Sequence, residues 1–146
     1  NLGETNRSFM EEITIGGKGI NVSYILNQFG IENIALGFVA GFTGEKLVCL
    51  AKEMGINNDF ISLKEGNTRI NVKLKGETET EINAKGPIID SDSLEQFFEK
   101  LDILKNGDTL VLSGSVPGSL PNDIYEQILT KIKHKDIRIC VDEKGD

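Results

Sequence analysis

The sequence predicts an α/β protein in which a largely parallel sheet is flanked by helices and interrupted by a small antiparallel hairpin. Two patterns carry that expectation. Short apolar runs of strand length at 13–15, 34–39, 60–63, 109–112 and 137–141 alternate with stretches whose apolar residues recur at helical spacing. Between positions 69 and 83 the period changes to two, the mark of an extended pair with one apolar and one polar side.

Taken in order, the run at 13–15 leads into Gly16-Gly17-Lys18-Gly19-Ile20-Asn21. Val22, Ile25, Leu26 and Phe29 then form one helical stripe, which Gly30 is placed to end. After the run at 34–39, Gly41-Phe42-Thr43-Gly44 is expected to turn the chain. Leu47, Leu50, Ala51 and Met54 make a second stripe, stopped by Gly55. In the hairpin Ile70, Val72 and Leu74 share one face and Arg69, Asn71, Lys73 and Lys75 the other, with Gly76-Glu77 turning into the alternating stretch at 78–83. An isolated hairpin is marginal, so cover is expected on its apolar side. Ser91-Asp92-Ser93 is expected to start a helix bearing Leu94, Phe97, Phe98 and Leu101, with Glu95 and Gln96 available for a capping box. Pro121 suits the first turn of a last helix whose stripe is Ile124, Ile128 and Ile132.

In open parallel α/β sheets ligands bind beyond the carboxyl ends of the strands. Three polar segments follow strand-like runs in that way: the glycine-rich turn, Ser113-Gly114-Ser115, and Asp142. Glycines let the backbone take positive φ and let a ligand approach the main chain. A helix starting there aims unpaired N–H groups at the same spot, and its dipole favours oxygen-rich or anionic ligands. Lys18 and Asn21 add side-chain donors. Spacing alone equally allows a plain tight connection. Two familiar nucleotide motifs fail, because Val22 stands where a dinucleotide fingerprint needs Gly or Ala, and Gly19 stands where a P-loop needs Ser or Thr. Arg69 and Lys73 suit either a solvated strand face or an anion site, Arg as a planar fork and Lys as a point charge. Ser113 and Ser115 suit loop capping as well as ligand contact, and Asp142 suits a helix cap. His134, the single histidine, reads as solvated, and no His, Cys or carboxylate cluster has metal-site spacing.

At 146 residues and 38% hydrophobic content the chain can bury one core. Its net charge of −7 argues against nucleic acid or an anionic membrane as partner, so a phosphorylated ligand needs a local basic cluster. Cys49 and Cys140 stand singly in apolar segments, which suits a reducing cytosol and predicts a cytoplasmic protein. No apolar stretch approaches the length of a membrane span, and no charged-then-apolar leader is visible.

Gly-Gly-Lys-Gly-Ile-Asn-Val-Ser followed by Gly30 resembles the N-terminal signature of the ribokinase-like, phosphofructokinase-B-type sugar kinases. The register continues through Ala35-Leu36-Gly37-Phe38, Phe42-Thr43-Gly44-Glu45, Thr68-Arg69-Ile70-Asn71-Val72-Lys73, Ser113-Gly114-Ser115-Val116-Pro117 and Val141-Asp142, so it covers essentially the whole chain. Ala40 departs from the glycine common at that place. Within the family the chain is most similar to the bacterial 1-phosphofructokinase branch.

The resemblance implies an α/β core at 9–66 and 84–146 and a β-lid at 1–8 and 67–83. Asn6-Arg7 falls on the first lid strand, and the lid doubles as a homodimer contact. It implies that Gly16, Gly17, Lys18 and Asn21, together with Arg69, Asn71 and Lys73, hold a sugar phosphate. Asn83, Ser113 and Ser115 are weaker candidates, and Asp142 faces the nucleotide and metal side. The implied activity is phosphorylation of fructose 1-phosphate to fructose 1,6-bisphosphate with ATP and Mg2+. The alternatives are tagatose-6-phosphate kinase or another hexose-phosphate kinase, and, from a different class, a non-catalytic sugar-phosphate-binding module. The family's catalytic base lies in a Gly-Ala-Gly-Asp motif that this sequence lacks, as it lacks the nucleotide-binding half and the first strand with its substrate-binding Asp. The chain therefore resembles the sugar-binding half of a longer kinase, expected to show no kinase activity alone.

Overall fold

A computed structural model describes residues 3–142; residues 1, 2 and 143–146, at the ends of the expected 1–8 and 84–146 ranges, lie outside it. Helix α1 (Lys18–Gln28) begins where Gly17 takes φ 112°, a conformation open to glycine and strained for other residues. Its buried residues are Ile20 and Ser23, whereas Ile25 is 50% and Phe29 77% exposed, so the expected stripe is not the inward face. Polar ties turn the helix. Asn27 Nδ2 donates to Gly55 O at 2.8 Å, and Asn33 Nδ2 donates to Asn27 Oδ1 at 2.8 Å, which brings the Ile20 side in against Ala35, Ala51 and Ile56.

The run at 13–15 forms no strand; Ile13 is exposed and only Ile15 packs, against the Ile20 cluster. Residues 3–8 likewise carry no strand, so Asn6 and Arg7 stand outside any ladder. The single sheet expected from the alternation is, among the described residues, three two-stranded ladders. Strands β1 (Phe38–Ala40) and β2 (Ile61–Leu63) run parallel, with Ala35 and Asn58 bridging ahead of them. Strands β3 (Asn71–Lys75) and β4 (Glu79–Asn83) form the antiparallel hairpin. Strands β5 (Thr109–Ser113) and β6 (Arg138–Asp142) run parallel in register from Thr109↔Arg138 to Ser113↔Asp142. No described strand joins β1 to β5.

The segment expected to turn at Gly41-Phe42-Thr43-Gly44 is instead the first turn of α2 (Gly41–Glu53), because Ala40 is still extended and the helix follows β1 directly. Helix α3 (Ser91–Lys100) is capped one residue before the serine cluster: the Asp90 carboxylate accepts from Ser93 N at 2.7 Å. Hydrogen bonds from this backbone amide hold the Asp90 carboxyl below its usual range. Pro121 lies in the turn before α4 (Ile124–Ile132), accepting from Ile124 N at 3.1 Å, and not inside the helix. The α3 and α4 stripes do pack as their spacing predicts. Leu101, Leu112, Ile124, Ile128 and Ile132 form one buried cluster, with Phe97 and Phe98 against it. Ala40, Leu63 and Ile89 make another under the β1–β2 pair. The hairpin's apolar side is open: Val72 is 44%, Leu74 54% and Ile82 57% exposed, without the expected cover among the described residues.

Candidate functional site

At the start of α1 the first helical bond runs from Asn21 N to Gly17 O at 3.0 Å, and no side chain caps the preceding amides. These donors lie beside the carboxyl ends of β5 and β6. A Cβ on Gly19 would stand 3.9 Å from Ser113 O. Gly114, at φ 106°, donates from its amide to Asp142 O at 3.1 Å, and the Tyr125 hydroxyl donates to Gly114 O at 3.1 Å. Lys18 Nζ reaches the Asp142 carboxylate at 3.2 Å. The Ser113 hydroxyl oxygen is buried with no hydrogen-bond partner among the described residues, and each such group calls for a physical account. Turn, Ser113, Gly114 and Asp142 are thus neighbours in space.

The hairpin register puts Asn71 opposite Asn83, Lys73 opposite Glu81 and Lys75 opposite Glu79, all on the polar face. Lys73 Nζ stands 2.6 Å from Glu81 and 3.6 Å from Glu79. The hydrogen bond and charge of Glu81 raise the Lys73 pKa, and Lys73, then Asn71, lower that of Glu81. The polar face of the hairpin is therefore mixed in charge. Counting outward from the Gly76-Glu77 turn pairs 75 with 79 and 73 with 81, which is the signal that would have found these partners. Arg69, just before β3, is exposed and makes no ion pair among the described residues.

One broad, open concavity of about 3640 Å³, bordered by nearly half of the chain, includes Gly16, Gly17, Lys18 and Asn21 of the turn, Arg69, Asn71 and Lys73 of the hairpin, and Ser113 and Ser115. Arg7 also lines it, while Asn83 and Asp142 do not. Free amides at a helix start, with Lys18, Arg69 and Lys73 bordering the same space, suit a polyhydroxylated anion. The described residues do not by themselves fit Mg2+, which wants near-octahedral oxygen ligation: none form a group of three or more His, Cys, Asp or Glu placed to hold a metal, and Asp142 is a single carboxylate held by Lys18. Sequence reasoning also missed Thr43 and Thr68, whose hydroxyls tie the hairpin root to the core across 25 and 28 positions.

Parallel strand–helix units with a glycine-turn helix start at the strand ends, and a hairpin bordering the same cleft, are the ribokinase-like arrangement of carbohydrate kinases. The chain belongs to the pfkB family of carbohydrate kinases, whose pattern matches residues 2–146. It is 44% identical over 145 residues to 1-phosphofructokinase of Bacillus subtilis, covering 99% of this chain and 48% of the relative. To tagatose-6-phosphate kinase of Staphylococcus epidermidis it is 35% identical over 147 residues, covering 99% and 47%. A Staphylococcus aureus protein assigned as a phosphofructokinase has a crystal structure that superposes with a TM-score of 0.90 at 39% identity, over 99% of this chain and 47% of that one. The chain spans about half the length of the curated relatives it matches.

Proposed function

We propose that this chain is the sugar-binding half of an ATP-dependent 1-phosphofructokinase, which phosphorylates fructose 1-phosphate. What supports this reading is that the α1 turn and Arg69 border the same broad concavity. In this reading the Arg69 guanidinium, with Lys73 beside it, holds the phosphate already on the sugar. Asn21 and the amides at Gly16 and Gly17 orient the sugar hydroxyls, with Ser113 and Ser115 as lesser contacts; Asn83, which does not border the space, drops out. Lys18 binds sugar hydroxyls and the phosphate end beside them. ATP would supply the phosphoryl group in the complete protein, and Asp142 is the residue here that the reading turns toward it. For such transfers the protein contributes mainly positioning and charge neutralisation.

The division into a core at 9–66 and 84–146 and a lid at 1–8 and 67–83 belongs to the same proposal. The exposed Val72, Leu74 and Ile82 support the lid's second use as a homodimer contact. A cytoplasmic location fits this metabolic role, and no described helix is long and apolar enough to cross a membrane.

The test is calorimetric titration of the longest natural polypeptide carrying this sequence. Arg69→Ala is expected to weaken fructose 1-phosphate binding about ten-fold or more, as loss of a charged hydrogen bond does. Unchanged affinity would sink the reading. The relationship to tagatose-6-phosphate kinase supports a second substrate, and competition between the two sugar phosphates decides between them. Sugar-phosphate binding without ATP turnover would favour a non-catalytic module instead.

A further inference from the structure

Between the core and the hairpin the chain passes through Thr68, and every polar atom of that residue is engaged. Thr68 N donates to Ala40 O at 2.8 Å, and Ala40 N donates back to Thr68 Oγ1 at 2.8 Å. Thr43 Oγ1 donates to Thr68 O at 2.8 Å. The hairpin root is thereby fastened to the junction of β1 and α2.

Glycines let the parts approach this closely. A Cβ on Gly44 would lie 2.9 Å from Thr68 Oγ1, and one on Gly41 would lie 2.5 Å from Gly66 O. The returning leg is gripped at the same level, since a Cβ on Gly86 would stand 3.4 Å from the Arg69 Cβ. Beyond this waist the hairpin is exposed on both faces. The helix that carries Thr43 also shares a packed cluster with α1. Ala51 of α2 is fully buried in the cluster that contains Ile20 of α1.

We infer that Thr68, with Thr43, is a positioning residue that fixes Arg69 relative to the α1 turn, and so sets how strongly the cleft holds a sugar's phosphate. The inference rests on the proposed reading of Arg69. Thr68 touches no ligand in it and acts through its neighbour. A hydroxyl is required at 68, because an isosteric Val leaves Ala40 N without its partner, whereas Ser restores it.

The experiment is a double-mutant cycle on the longest natural polypeptide carrying this sequence, titrated with fructose 1-phosphate and with fructose. Thr68→Val should weaken fructose 1-phosphate binding about ten-fold while changing fructose binding little. Thr68→Ser should retain the native ratio, and in an Arg69→Ala background the Val substitution should have no further effect. Equal losses for both sugars, or losses that add in the double variant, would show a purely structural role and overturn the inference. Should Arg69→Ala alone bind fructose 1-phosphate as well as the native protein, the reading of Arg69 fails and takes the inference with it. Hydrogen exchange at 69–84, faster in Thr68→Val, separates that failure from absence of the clamp. Unchanged exchange would show that the hydroxyl holds nothing.

Discussion

Lys18 and Asp142 are 124 positions apart in the chain, yet their side chains meet at 3.2 Å, tying the first residue of α1 to the last residue of β6. Both groups are largely in water, 46% and 63% exposed, so the pair contributes little to stability. In the proposed reading the pair keeps the ammonium beside the α1 turn until an anion competes for it. Asp142→Asn is expected to leave the melting temperature within about one degree of native, whereas Lys18→Met keeps the fold but weakens sugar-phosphate binding. Scanning calorimetry and titration of the two variants check both halves.

The hairpin should respond to acid through Glu81. Glu81 has a lowered pKa, so its contribution is complete above the ordinary carboxylate range and is lost as pH falls through the depressed value. Lys73 has a raised pKa, so its contribution is complete below the ordinary lysine value and lost only as pH rises through the raised one. Carbon NMR titration of the Glu81 carboxyl should give a lower midpoint than in Lys73→Met. Because the pair is exposed, salt should narrow the difference. Identical midpoints would mean that Lys73 and Glu81 do not pair in solution.

Leu101 is 1% exposed and joins α3 to the cluster built from Leu112, Ile124, Ile128 and Ile132. Leu101→Ala removes buried methyl groups and leaves a cavity, for an expected loss of about 2–5 kcal/mol. Denaturant unfolding measures it. A loss well below this range would mean that the cluster collapses around the gap.

Gly41 holds φ 57° while the space for a Cβ is taken by Asn67 Oδ1 at 2.2 Å and Gly66 O at 2.5 Å. The Asn67 side chain can swing away, but the Gly66 carbonyl is backbone. Gly41→Ala is therefore expected to destabilise by about 1–3 kcal/mol and to loosen the hairpin root. Thermal unfolding and amide exchange at 66–69 read the two effects.

What was legible in the sequence is what a periodic pattern decides locally. The stripes of α3 and α4 face inward as written, α2 packs Ala51 and Met54 of its stripe, and the hairpin turns where Gly76-Glu77 stands, because those periods need no knowledge of partners. The facing of α1 was not legible, since Asn27 and Asn33 fix it through bonds to Gly55 O and to each other. The cap of α3 fell to Asp90, although three further candidates follow it and only the helix geometry chooses among them. At the site, the rule that ligands gather at strand ends was enough to group the turn with Ser113 and Asp142. The carboxylates facing Lys73 needed a cross-strand register, and the Thr43–Thr68 clasp joins segments whose proximity no local spacing announces.

The described strands occur only in pairs, so each of them has one flank that pairs with no other described strand. Val111, Ile139 and Val141 stand open on the β5–β6 pair as well. Such rims recruit whatever extended polypeptide drifts past, a neighbouring copy included. In the laboratory, crowding should thus threaten this 146-residue chain sooner than heat does, with turbidity climbing as it is concentrated at temperatures where its circular dichroism has not moved.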